Sequence, residues 1–257
     1  MLVEPALTGS DWAVRTYWPE NQERIGLILT DLLARKPPVI PRQILDVGCF
    51  NGYLSFLLAR LGYQVTATDA DESADRTRLF TREGIAFFSS NLNEAAPFRD
   101  LQDATLEAVI MGEVLEHVLH HPLGLLEEVG RILKPDGVLI LTTPNPGTAM
   151  NAIRLLGGRR LTWGAGEFAR LPKLMEGRLT AFGGIHYHEY TTDELLALLV
   201  NAGFSVEKAG YLGMGASAQQ ALWKRLIKGN SLTRRLMSLR LFGCTHYMVA
   251  RRRSDAG

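Results

Sequence analysis

Cysteine is scarce in this chain: its 257 residues include only Cys49 and Cys244. Two cysteines cannot build a disulfide framework, which fits a reducing compartment and sets the expectation of a cytoplasmic protein. Long apolar runs are missing as well. No stretch approaches the roughly 18 residues that a spanning helix needs, although 46% of the residues are apolar. That much apolar material in a chain of this length is enough for one α/β core with insertions. The opening MLVEPALTGSDW has no basic stretch ahead of an apolar run, so a secretory leader is not expected. Net charge is only +1. No chain-wide electrostatic case for a nucleic-acid partner follows, and DNA is not expected as one.

The small total hides an uneven distribution. Residues 222–257 hold nine Lys/Arg against one Asp, so the rest of the chain is net acidic. Within 218–241, Leu222, Trp223, Leu226 and Ile227 share one helical face, with Lys224, Arg225 and Lys228 off it. Leu232, Leu236 and Leu239 repeat the pattern against Arg234, Arg235 and Arg240. One reading packs the apolar face on the domain and leaves the cations solvated. The other is peripheral contact with an anionic membrane.

Strand and helix patterns alternate through most of the chain. Residues 20–35 read as an amphipathic helix stopped by Pro37 and Pro38. Strands follow at 43–47, 64–69, 85–89, 106–111 and 137–143, with helices at 52–61, 72–82 and 122–133. The strands are nearly continuous apolar runs, as in a parallel sheet buried on both faces. Residues 144–190 break the rhythm with Gly, Pro, Trp163, Phe168 and the cluster GGIHYHEY. A helix over 192–201, a stop at Gly203, a strand at 204–209 and a last strand at 245–252 complete the pattern, the last antiparallel. The expectation is one domain over 1–257. It divides into an N-terminal helical cap (1–36), a cofactor-binding core (37–145), a substrate lid (146–190) and a C-terminal part (191–257).

The first strand runs into DVGCFNG, residues 46–52, and then a helix. Such a turn presents backbone N–H groups and a helix N-terminus to a nucleotide. The dinucleotide pattern is absent, because its second and third glycines would fall at Phe50 and Tyr53. The Gly-Lys-Ser/Thr of a P-loop is absent too. A nucleoside without phosphates tolerates Phe50 more easily than NAD or FAD does. Asp69 closes the second strand, 23 residues after Asp46. Its carboxylate suits the two hydroxyls of a ribose. Asp46 reads as a turn-stabilising carboxylate, a cofactor contact, or both.

On these residues the sequence resembles the class I S-adenosylmethionine-dependent methyltransferases. ILDVGCFNGYLSFLLARLGYQVTATD looks like that family's first motif and second-strand acid. EAVIMGEVLEHV, LLEEVGRILKPDGVLILTTPNP and HEYTTDELLALLVNAGFSV are similar to its later segments, so residues 43–250 are covered. The resemblance implies a Rossmann-like seven-stranded, mostly parallel sheet and S-adenosylmethionine held by Asp46, Gly48, Cys49, Gly52, Asp69, Asn91, Leu92 and Gly112. Two departures stand out. The family usually has Gly where Phe50 stands, and an acid near the adenine amine where Asn91 stands. The amide oxygen of Asn91 still accepts a hydrogen bond.

Two glutamates and three histidines fall between Glu113 and His121. Glu113, Glu116 and His117 are spaced i, i+3, i+4 and share a face if helical. Three readings are open: a general base, His117, oriented by a glutamate; ligands of a divalent metal (Mg, Mn or Zn); or a polar turn before the next helix. In the ubiquinone-pathway O-methyltransferases, which this chain resembles most, the equivalent ExxEH is linked to a metal and to the acceptor hydroxyl. That resemblance makes Glu113, Glu116 and His117 catalytic candidates. In the small-RNA 2′-O-methyltransferases a similar ExxEH joins a downstream histidine to hold Mg²⁺, and that resemblance makes His186 a fourth metal ligand, with His188 as its alternate. His186, His188 and Tyr190 are also candidate substrate contacts, while the same stretch suits a loop packed ahead of a helix, with Thr191 or Thr192 as its cap and Glu194 close by. His120 and His121 read as surface or capping residues, His121 directly ahead of Pro122. The expected activity is O-methylation of a small or lipid-like acceptor. Metal-dependent 2′-O-methylation of RNA and N- or C-methylation of a small molecule are the alternatives. Outside this class stand a nucleotide-binding oxidoreductase and a non-catalytic cofactor-binding protein.

Overall fold

A computed structural model describes residues 18–35, 42–70, 74–159, 186–213 and 243–253. The expected basic segment 218–241 and most of the expected lid lie outside the described residues.

Helix α1 (Trp18–Ala34) precedes β1 (Gln43–Val47), α2 (Tyr53–Arg60), β2 (Gln64–Asp69), α3 (Ala74–Arg82) and β3 (Ala86–Ser89). Then come β4 (Leu106–Gly112), a single 3₁₀ turn (Leu115–His117), α4 (Pro122–Ile132), β5 (Leu133–Pro144) and α5 (Ala149–Leu156). The chain closes with α6 (Thr192–Asn201), β6 (Phe204–Leu212) and β7 (Thr245–Arg252). One seven-stranded sheet has the order β3-β2-β1-β4-β5-β7-β6. The pairings of β7 with β5 and with β6 are antiparallel and the other four are parallel, so the last strand is antiparallel as expected.

Strand alternation divides the core into two layers. Leu45, Val47, Val109, Met111, Leu139 and Leu141 point to one face, against Leu125, Leu126 and Val129 of α4 and Leu195 and Leu199 of α6. Ile44, Ala108, Ile110, Val138 and Ile140 point to the other, against Ile28 and Leu32 of α1, Phe56 of α2 and Phe80 of α3. Covering on both faces is why these strands lack a polar alternation.

Polar contacts fix α1 to the far half of the sheet. Tyr247 Oη donates to Asp31 Oδ2 at 2.7 Å, and Lys208 Nζ donates to the same oxygen at 2.8 Å. Arg35 Nη2 reaches Glu207 Oε2 at 2.5 Å. At the start of α4, His121 adopts a left-handed backbone and its Nδ1 accepts from the Gly124 N–H at 2.7 Å. Gly203, at φ 83, ends α6 as expected. Inside the region read as an irregular insertion, Thr148 caps α5 by accepting from the Asn151 N–H. No described helix is long and apolar enough to cross a membrane.

Candidate active site

The sheet order reverses between β1 and β4, and in open α/β sheets ligands sit outside the carboxyl ends of the strands at that point. Gly48 and Gly112 leave the sheet there side by side. The turn after β1 is wound tightly, with Gly48, Phe50 and Gly52 at φ 68, 49 and 76. A Cβ on Gly48 would lie 2.5 Å from Val114 Cγ2, and one on Gly52 would overlap the Phe80 ring. The turn is tied to β2, where the N–H groups of Gly48 and Cys49 both donate to the Thr68 carbonyl. The Phe50 N–H donates to Asp69 Oδ2 at 2.8 Å. Phe50 therefore occupies a left-handed position that favours glycine, and the residue is 40% exposed.

Asp46 is buried at the base of this turn and accepts from Ser55 Oγ at 2.5 Å. Burial raises its carboxyl to about 6, against the opposing effects of Ser55 and Arg24. Burial also pushes the Cys49 thiol far up, which disfavours its thiolate. After β3, Asn91 Oδ1 accepts from the Asn93 N–H at 3.1 Å, an Asx turn that orients the loop. Leu92 packs against the first core layer.

The Glu/His stretch is not one helical face. Glu113 sits just beyond β4 at φ 59, and only Leu115–His117 turns helically. Glu116 is fully buried. Its Oε2 accepts from Thr143 Oγ1 at 2.8 Å, and its buried Oε1 has no hydrogen-bond partner. That Oε1 lies 3.9 Å from His117 Nε2. Burial first, and the charge of Glu113 second, raise the Glu116 carboxyl to about 8. The segment that begins at His186 closes over this turn, the Tyr187 N–H donating to the Glu116 carbonyl at 2.8 Å. It brings the His186 ring edge-on to His117, 5.0 Å between centroids. His186 Nδ1 is bonded to Glu189 Oε1 at 3.0 Å, which raises its pKa.

Glu116, His117 and His186 thus offer three ligand atoms within 4.8 Å of one another. Glu113 is outside that group and pairs with Arg24 instead, at 3.5 Å. His188 faces away, its Nε2 3.3 Å from Glu194 Oε1. Tyr190 is buried in the first core layer, where burial raises its hydroxyl to about 12. Thr191 forms a reciprocal capping box with Glu194 at the start of α6, as the spacing predicts.

Arg24 was not singled out in the sequence. Its side chain is buried, lies next to Gly112 and reaches Thr142 Oγ1 at 3.5 Å. The signal was present: Arg24, Ile28 and Leu32 are spaced i, i+4, i+8 on the buried face of α1. A cation in an apolar stripe is a marked position.

A family model described as a methyltransferase domain matches residues 17–209. The chain belongs to the class I S-adenosylmethionine-dependent methyltransferases. A ubiquinone biosynthesis O-methyltransferase of Xanthomonas axonopodis pv. citri is 34% identical over 64% of this chain and 63% of its own length. The corresponding protein of Xanthomonas oryzae pv. oryzae is 31% identical over 69% of the chain and 68% of its own. The chain thus matches about two thirds of these relatives. Among solved structures, the 1,6-didemethyltoxoflavin-N1-methyltransferase of Burkholderia thailandensis has a TM-score of 0.55 over 99% of this chain and 92% of its own, at 19% identity. A [4+2]-cyclase reaches the same TM-score over 89% of this chain and 82% of its own, at 17% identity. Likeness at that level fixes the fold alone, and the reaction has to be argued from the site.

Proposed function

We propose that this methyltransferase transfers a methyl group to the hydroxyl oxygen of a small, lipid-like acceptor, in the manner named for its Xanthomonas relatives. The observation that carries the proposal is the buried Glu116 carboxyl facing His117 and His186 beside Gly112. Asp69 holds the ribose, the 48–52 turn underlies the methionine end, Asn91 and Leu92 border the adenine, and Arg24 receives the α-carboxylate. When bound, S-adenosylmethionine supplies the methyl group from its sulfonium centre. His117 takes the proton of the acceptor hydroxyl. Glu116, fixed by Thr143, sits behind the imidazole and favours its charged form once ionised. His186, fixed by Glu189, borders the acceptor side, and Glu113 shapes the electrostatics of the pair. Alignment of the nucleophile supplies much of the rate.

A second reading makes Glu116, His117 and His186 the ligands of a divalent cation. It is favoured by the buried Glu116 Oε1 without a hydrogen-bond partner and by the compact nitrogen and oxygen donor set. Such an ion would hold the acceptor oxygen and lower its pKa. The basic amphipathic pattern of 218–241 supports peripheral contact with an anionic membrane.

The test is S-adenosylhomocysteine release against paired acceptors: catechol-type phenols with a lipid tail, and the same frameworks bearing an amine. Turnover confined to the phenols supports the proposal. Turnover confined to the amines overturns it.

A further inference from the structure

Glu113 meets Arg24 in a contact that leaves its own carboxylate incompletely satisfied. Glu113 holds a left-handed backbone at φ 59, unusual for a residue with a side chain and common at functional sites. Its Oε1 is buried without a hydrogen-bond partner, although it lies 3.5 Å from Arg24 Nη1. The contact is an ion pair without the short, bidentate geometry that a guanidinium and a carboxylate favour. Arg24 is only 8% exposed and comes from α1, which Asp31, Lys208 and Tyr247 hold in place. The guanidinium is therefore anchored; its Nη1 lies 3.3 Å from where a Cβ on Gly112 would stand, and its charge acts on the Asp46 carboxyl, at the strand ends where the proposed function puts the methionine end.

We propose that Glu113 is an internal stand-in for the cofactor's α-carboxylate. It occupies Arg24 in the ligand-free protein and is displaced when the cofactor's own carboxylate takes the guanidinium. The inference rests on the reading of Arg24 as the carboxylate anchor. Its consequence is that the cofactor binds more weakly than Arg24 alone would allow. The product S-adenosylhomocysteine, which carries the same carboxylate, leaves faster for the same reason.

The test is calorimetric titration of the full chain with S-adenosylhomocysteine and with 5′-methylthioadenosine, which lacks the amino-acid end. Glu113→Gln tightens S-adenosylhomocysteine at least about fivefold, a typical coupling between two competing contacts, and leaves 5′-methylthioadenosine unchanged. Arg24→Met weakens S-adenosylhomocysteine alone. In the Arg24→Met background the gain from Glu113→Gln disappears, whereas a general field effect of the lost charge would persist. If Glu113→Gln fails to fold, Glu113→Gly suits the same backbone and gives the same tightening. Unchanged or weaker S-adenosylhomocysteine binding in both Glu113 variants overturns the stand-in, as does equal tightening of 5′-methylthioadenosine. Unchanged binding in Arg24→Met overturns the anchor beneath it. Binding of neither ligand to the wild type overturns the cofactor reading itself.

Discussion

Thr143 holds Glu116 from behind, its hydroxyl donating to Oε2 at 2.8 Å and leaving Oε1 to face His117. Both residues are fully buried. Thr143→Val removes that donor at nearly constant volume and strands a polar oxygen in the core. The expected cost is about 1–3 kcal/mol of stability, read from urea unfolding. Turnover falls while the KM for S-adenosylmethionine holds, and Thr143→Ser restores most of both. Equal losses in the Ser and Val variants would show that the methyl group matters and the hydroxyl does not.

Glu116 also predicts a pH dependence. Its carboxyl has an ordinary value of 4.5 and is raised to about 8 in the folded protein. Between those values the folded state binds more protons than the unfolded one, so stability is full at the acid end and declines as pH rises toward 8. Asp46 contributes with the same sign between 3.8 and about 6. Glu116→Gln removes the larger contribution. Melting curves at several pH values between about 5 and 8.5 should show the Gln variant gaining on wild type as pH rises. Parallel curves would mean that Glu116 ionises at little cost.

The metal reading has its own check. On that reading, elemental analysis and Mn²⁺ titration of the wild type find one site, with affinity lost in Glu116→Gln and His186→Ala; a wild type that binds no Mn²⁺ removes it. Glu113→Gln should keep the site, because Glu113 lies outside the 4.8 Å group. Unchanged Mn²⁺ affinity in Glu116→Gln would remove this reading and leave His117 as a metal-free base.

Helix α1 matters beyond its apolar face. Tyr247→Phe deletes the 2.7 Å hydrogen bond to Asp31, and a loss of about 0.5–1.5 kcal/mol is expected. Asp31→Ala, which also removes the Lys208 contact, should cost more. Because α1 carries Arg24, both variants should raise the KM for S-adenosylmethionine with less effect on kcat. A KM unmoved by a loosened α1 would detach Arg24 from cofactor binding.

The sheet was readable because its strands are short apolar runs separated by turn signals, and because motif spacing carried the connectivity. Ile44, Val109 and Leu139 read as strand residues without any knowledge of which face they cover. The turn after β1 and the acid that ends β2 were readable for the same reason: Gly48, Gly52 and Asp69 are local to two strand ends. The acceptor side was less so. The spacing of Glu113, Glu116 and His117 satisfies a helix, yet the chain leaves β4 through a left-handed residue and only one 3₁₀ turn follows. That backbone choice sends Glu113 to Arg24 and Glu116 into the core. The partners Thr143, Glu189 and Arg24 are set by tertiary packing across β5, the segment ahead of α6 and α1, which local periodicity does not encode. His186 was reached through family resemblance, and the Tyr187 bond to the Glu116 carbonyl explains its position.

The most direct test uses S-adenosylmethionine with a deuterated methyl group and a lipid-tailed catechol, with the product analysed by mass spectrometry and NMR. We expect one labelled methyl on oxygen in the wild type. His117→Ala should lower that rate about 10²–10⁴-fold while binding S-adenosylhomocysteine as the wild type does. Label on carbon or nitrogen, or full O-methylation by His117→Ala, would contradict the account.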